Sequence, residues 1–176
     1  MTKQEIRKEI RRRKAACSTE ERAVLSRVAV AHLLSTPQWQ QAKTILLYHA
    51  LPDEVATDSL LRSACEQGKQ VLLPVVIGDD LELREYGGES CLREGTFHIH
   101  EPQGDAFTDY DAIDLAVIPG VAFSIDGTRL GRGRGYYDRL LPRLQRAYKC
   151  GLCWPFQLVE TIPSEPHDVR MNAVIC

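Results

Sequence analysis

Short apolar runs alternate along this chain with stretches whose apolar positions fall on one helical face. Residues 2–16 predict a polar, strongly basic helix. Ser18 followed by Glu21 forms a capping-box pattern that opens a second helix to about residue 34, and Thr36-Pro37 ends it. Residues 44–49 predict a strand, 57–66 a helix and 71–76 a second strand. After a hairpin or irregular region, 81–86 predicts another strand, with Gly87-Gly88 as a breaker. A short strand at 114–118, a helix at 136–144 and strands at 148–153 and 173–176 complete the set. Tyr137, Leu140, Leu141 and Leu144 supply the apolar stripe of that last helix, at i, i+3, i+4 and i+7.

Apolar strands separated by helices predict an α/β fold: a mostly parallel, doubly wound sheet with helices on both faces, as one domain over residues 1–176. Ligands in such sheets sit beyond the carboxyl ends of the strands. That places the loops at 48–54, 120–135 and 154–157 where chemistry is expected. No repeat or linker interrupts the pattern.

Composition narrows the function classes. Hydrophobic residues make up 44% of the 176, and the formal charge of −2 argues against a general nucleic-acid binder. No run approaches the roughly 18 apolar residues of a membrane span. The six cysteines show no framework spacing, and no secretory signal is evident, so a cytoplasmic location is expected. Cys150-x-x-Cys153 lies in a predicted strand without a second pair, which disfavours zinc or redox chemistry. His32, His98 and His100 have no metal-ligand spacing.

Residues 129–139 carry the clearest chemical signal. Gly131, Gly133 and Gly135 alternate with Arg132 and Arg134 and run into the predicted helix. Glycine allows positive φ and close backbone approach to a ligand. A helix start adds N–H donors, and arginine adds a permanent charge with a fork that fits phosphate oxygens. The combination reads as a polyphosphate cradle. It is neither a Walker A loop nor the dinucleotide fingerprint, and a flexible turn or an RNA-binding Arg/Gly segment remains open. Asp138, in the first turn, is either a carboxylate on a metal beside phosphates or a partner for the helix dipole.

Weaker signals surround it. Lys3, Arg7 and Arg11 share a helical face with Lys14 nearby, and Ile6 and Ile10 offer a seam for docking. Glu54 follows a strand end and is either a ligand for a donor-rich heterocycle or a turn residue. Trp154 is a stacking surface or a core residue. Asp168, beside His167 in a proline-flanked loop, is a second candidate metal carboxylate.

The segment 114–123 continuing into 129–139, with Lys3-x-x-x-Arg7, Asp53-Glu54-Val55 and Gln157…Ile162-Pro163…His167-Asp168, resembles the 5-formyltetrahydrofolate cyclo-ligase family over essentially the full length. The resemblance implies ATP- and Mg²⁺-dependent conversion of 5-formyltetrahydrofolate to 5,10-methenyltetrahydrofolate. It implies a fold related to ribose-phosphate isomerase and CoA transferases. Separately, a monomer that binds neither nucleic acid nor membrane is expected. By position, Lys3 and Arg7 would contact ATP, as would the loop of Arg129, Leu130, Gly131, Arg132, Gly133, Arg134, Gly135, Tyr136 and Tyr137. Arg132 to Tyr136 would also face the folate, with His49 and Glu54 opposite and Trp154 as an aromatic contact. Arg132 and Arg134 would stabilise the transferring phosphoryl group, and Asp138 and Asp168 would hold Mg²⁺. A sugar-phosphate isomerase or CoA-transferase-like enzyme, or an RNA-binding module, is the alternative.

Overall fold

The computed structural model describes residues 1–95, 98, 100–166 and 168–176. The chain begins with α1 (Lys3–Ala15), α2 (Thr19–Leu34) and α3 (Pro37–Gln41), then β1 (Thr44–Leu46), α4 (Asp58–Glu66), β2 (Gln70–Ile77) and β3 (Asp80–Glu85). A hairpin of β4 (Leu92–Glu94) and β5 (His100–Pro102) precedes β6 (Ala106–Phe107), β7 (Leu115–Ile118), β8 (Ala122–Ser124) and β9 (Arg129–Leu130). The chain closes with α5 (Tyr136–Leu140), β10 (Tyr148–Leu152), β11 (Leu158–Val159) and β12 (Ala173–Ile175).

Seven strands form the central sheet in the order β12-β10-β7-β1-β2-β3-β6. β12, β10, β7, β1 and β2 are parallel, whereas β3 returns antiparallel to β2 and β6 antiparallel to β3. The mostly parallel expectation therefore holds for five strands and fails at one edge. Successive strand residues point to opposite faces, and both faces are covered. Ile45, Leu47, Val71 and Leu73 pack on one side with Ala29 and Leu33 of α2, Trp39 of α3 and Leu60 and Leu61 of α4. Leu46, Leu72, Ala116 and Ile118 pack on the other with Leu140, Leu141 and Leu144. Each such leucine removed from water contributes about 1.5–3 kcal/mol before entropy is counted.

The first two helices start where the sequence marks them. Thr2 accepts from the Glu5 amide while the Glu5 carboxylate accepts from the Thr2 amide, and Ser18 and Glu21 repeat the exchange. Ile6 and Ile10 bury against Ala122, Leu130 and Ile162, docking α1 on a small second sheet of order β11-β8-β9.

Three expectations change. The helix expected over 136–144 ends as α-helix at Leu140 and continues as a 3-10 turn over Leu141–Arg143, because Pro142 has no N–H and its ring crowds the preceding turn. The strand expected over 44–49 stops at Leu46, which leaves β2 to run on alone past its neighbour. The second sheet, formed from residues expected to be loop, has strands of only two or three residues, too short for a periodic signal.

Candidate active site

Past the carboxyl ends of β1 and β7 lies a cleft of about 330 Å³. Tyr48, His49, Leu51 and Glu54 from the segment after β1 line one part of it, with Pro119 and Gly120 from the segment after β7. Residues 131–138 form a second wall, joined by Arg129. Pro74 and Val76 of β2, Leu81 of β3 and Glu101 of β5 form the apolar end.

The glycine segment is bent where glycine is needed. Gly133 has φ +98° and Gly135 φ +75°, and a Cβ on Gly135 would lie 2.6 Å from an Arg139 guanidinium nitrogen. Arg139 fixes the loop from outside. It donates to the Arg134 carbonyl at 3.2 Å, to the Asp80 carboxylate at 3.0 Å, and to the Asp79 carbonyl. Arg7 of α1 donates through Nε to the Gly131 carbonyl at 3.0 Å. The helix after the loop is only five residues long, so the dipole expected from a longer helix contributes little, and the arginines carry the charge of this wall.

Arg132 reaches across the cleft mouth to the Asp53 carboxylate at 2.7 and 3.2 Å and to Glu54 at 3.1 Å. Lys14 reaches the same Asp53 carboxylate at 3.1 Å and its carbonyl at 2.9 Å. Burial alone would raise the Asp53 pKa, but these two cations outweigh it and bring the carboxyl to about 2. Both Glu54 oxygens are engaged, one by Arg132 and the other by the Leu51 amide at 3.0 Å.

Arg129 lies beneath the loop, its side chain 5% exposed. Its terminal nitrogens donate to the Pro119 carbonyl at 3.1 Å and to Asp138 at 2.7 Å, and the guanidinium carbon sits 5.3 Å from the Tyr137 ring centroid. Its Nε is buried without a hydrogen-bond partner among the described residues. Burial, with Glu54 nearby, pushes the Tyr137 hydroxyl pKa well up, so it is neutral at working pH. Burial does the same for Tyr48, whose hydroxyl donates to the Val55 carbonyl.

The cleft thus gathers His49, Glu54, Arg129, Gly131, Arg132, Gly133, Arg134, Gly135, Tyr136, Tyr137 and Asp138 from the sequence expectations. Five others lie outside its lining, among them Arg7, which meets the loop at the Gly131 carbonyl. Trp154 is 1% exposed in the core, its indole N–H donating to Ser26 Oγ at 2.9 Å and to the Arg22 carbonyl at 3.2 Å. It is not a stacking surface, because the shape and polarity of its ring are satisfied inside. The Leu130 side chain packs with Ile6 and Ile10, leaving only its backbone to the loop. Asp168 accepts from the Glu165 amide at 2.8 Å and lies 3.5 Å from Lys3, so these two residues meet each other rather than the cleft lining. His167 lies outside the described residues.

Sequence reasoning passed over Asp53, Lys14 and Arg139 as functional elements, and Glu101 altogether. Their decisive partners lie far away along the chain: Arg132 for Asp53, Asp53 for Lys14, Asp80 for Arg139 and Val76 for Glu101. His49 also stands with Asp58 and Glu89, one donor atom from each within 4.8 Å of the others, and its ring lies 5.4 Å from that of His100.

Comparison with known proteins gives a consistent result. The model of the 5-formyltetrahydrofolate cyclo-ligase family matches residues 1–176. A mouse 5-formyltetrahydrofolate cyclo-ligase is 30% identical over 187 aligned positions, covering 98% of this chain and 92% of that protein. The solution structure of Aquifex aeolicus 5,10-methenyltetrahydrofolate synthetase superposes with a TM-score of 0.87 at 34% identity, covering 99% of this chain and 89% of the other. The Mycoplasma pneumoniae 5,10-methenyltetrahydrofolate synthetase gives 0.80 at 28% identity, covering 99% and 98%.

Proposed function

The chain belongs to the 5-formyltetrahydrofolate cyclo-ligase family, and from that premise we propose that it closes 5-formyltetrahydrofolate to 5,10-methenyltetrahydrofolate in this cleft, converting ATP to ADP and phosphate. The observation that carries the assignment of the site is the placement of Arg132 and Arg134 on the glycine wall, opposite an apolar end that contains an acid. One wall suits a triphosphate and the other a flat heterocycle. This membership displaces the isomerase, CoA-transferase and RNA-binding alternatives.

The chemistry needs positioning more than a protein nucleophile. The N5-formyl oxygen attacks the γ-phosphorus and the bond to ADP breaks, leaving a phosphorylated imidate. N10 then bonds to the same carbon, its proton is lost, and phosphate departs with the C–O electron pair to give the methenyl cation. Arg132 and Arg134 would spread the charge that builds on the transferring group, each such contact being worth several kcal/mol in a water-poor site. Gly131, Gly133 and Gly135 let the backbone approach the phosphates, and Arg7 holds the loop in place through Gly131. Leu51, Pro74, Val76 and Leu81 exclude water from the heterocycle.

Mg²⁺ is part of the proposal. Asp138, half-exposed at the cleft with one oxygen on Arg129, fits a hard cation that takes one or two carboxylates and completes its shell with phosphate oxygens and water. When bound it would neutralise charge on the phosphates. Asp168, already engaged with Lys3 and the Glu165 amide, is a poorer fit.

The doubly wound topology shared with ribose-phosphate isomerase and CoA transferases belongs to the same reading. It is supported by β2 and β7 lying on opposite sides of β1, the kind of strand arrangement where such sheets open a crevice. A monomer is part of it too, since one chain supplies both walls. The cytoplasm suits six free cysteines.

The test is an absorbance assay for the methenyl product. Product should form only when ATP and 5-formyltetrahydrofolate are both present. Its absence under those conditions overturns the reading.

A further inference from the structure

Glu101 is 7% exposed, yet it lines the apolar end of the cleft. Its position follows from the ladder. Tyr86 donates to Val71 across the β2–β3 pair, so alternation turns the backbone groups of Leu72, Pro74 and Val76 away from β3 and toward β1. The Leu72 carbonyl is met by the Leu47 amide. Pro74 has no N–H to satisfy. Val76 lies beyond the end of β1, and its N–H donates to Glu101 Oε1 at 3.1 Å.

That bond uses one carboxylate oxygen. Oε2 has no hydrogen-bond donor among the described residues, although fully enclosed side-chain atoms without partners there are limited to Arg129 Nε. Room for it has been left by Gly95, where a Cβ would come within 2.0 Å of Oε2. Among the acids lining the cleft, Glu54 has both oxygens engaged and Asp138 is tied to Arg129. Asp138 keeps a second oxygen but belongs to the glycine wall, whereas Glu101 is the acid of the apolar end, which Pro74, Val76 and Leu81 line with it.

We infer that Glu101 is a specificity-determining residue for the folate, accepting hydrogen bonds from the 2-amino and N3–H edge of the reduced pterin. This rests on the proposed function and deepens it. An aminopyrimidine edge presents donors to a carboxylate, and the apolar surroundings strengthen a charge-assisted bond while leaving an unmatched ligand without one. The structural role toward Val76 does not require a charge, and glutamine meets it equally well.

The experiment is Glu101→Gln, which keeps the acceptor for Val76 and removes the charge. KM for 5-formyltetrahydrofolate should rise about tenfold or more, the scale of a charge-assisted bond, while KM for ATP and the melting temperature stay near wild type. A second measurement compares both enzymes on a folate lacking the 2-amino group. Wild type should lose about tenfold in kcat/KM and the variant much less, since the partner is already gone. Unchanged KM for the formyl-folate, or equal losses on the analogue, overturns the inference. If Glu101→Gln does not fold, Gly95→Ala decides: it displaces the same carboxylate and should raise the same KM, and an unchanged value overturns the inference. Wild-type enzyme that makes no methenyl product refutes the function itself, whereas active wild type with an indifferent Glu101 refutes this assignment alone.

Discussion

Arg132 holds the Asp53 carboxylate with two guanidinium nitrogens, at 2.7 and 3.2 Å, and so ties the glycine loop to the segment after β1. Lys14 of α1 shares that carboxylate. Three distant parts of the chain therefore meet at one acid beside the cleft. Under the proposed function, an incoming triphosphate would compete with Asp53 for the same guanidinium.

Arg132→Ala should lower turnover by at least about tenfold, the scale of one lost charge-stabilising contact. The side chain is nearly half exposed, so the melting temperature should move little. Steady-state kinetics beside a thermal melt checks both, and near-wild-type turnover removes Arg132 from the phosphoryl site.

Asp138→Asn should lower turnover by a similar factor and shift the Mg²⁺ titration to higher concentration. Arg129 would keep a neutral acceptor at the same place, so a fold effect should be small. A titration curve that overlays wild type would exclude Asp138 as a metal ligand.

Arg7→Ala should raise KM for ATP roughly threefold or more, because the Gly131 carbonyl loses its tether and the loop its fixed position. This is a cleaner test than deleting residues 2–13, which would also strip Ile6 and Ile10 from their buried contacts. If KM for ATP holds steady in a folded Arg7→Ala protein, the Arg7–Gly131 contact plays no part in nucleotide binding.

Trp154→Phe should cost about 1–3 kcal/mol in urea unfolding, since Ser26 and the Arg22 carbonyl lose a buried donor. KM for the folate should not change. An altered folate KM with unchanged stability would return this ring to the binding site.

Asp53 makes stability depend on pH in a defined direction. Its folded pKa of about 2 lies below the ordinary 3.8, burial being outweighed by Arg132 and Lys14. A depressed acid adds stability that is present above the unfolded pKa and is lost as pH falls through the folded one. Between about pH 4 and pH 2, wild type should lose more stability than Asp53→Asn. Parallel losses in denaturant titrations would show that the pair contributes nothing to folding.

The cleft was legible in the sequence where chemistry is contiguous. Gly131 to Asp138 announce themselves because alternating glycine and arginine have few other uses, and the capping box at Ser18 marks its helix because the partners are three residues apart. Glu101 gave no signal. It is one acid between His100 and Pro102, and its meaning comes from a Val76 amide that β1 is too short to cover. Trp154 misled for a related reason, since an aromatic residue at a strand end looks the same whether its N–H finds Ser26 or a ligand.

Local periodicity and turn chemistry set the helices, the apolar strands and the glycine–arginine loop, because those depend on neighbours along the chain. Tertiary packing decided which charges meet: Arg132 with Asp53, Lys3 with Asp168, Arg129 with Asp138. Coulombic and hydrogen-bond partners are chosen by distance in space. Sequence separation carries no record of that distance until the sheet has brought β1, β2 and β7 side by side.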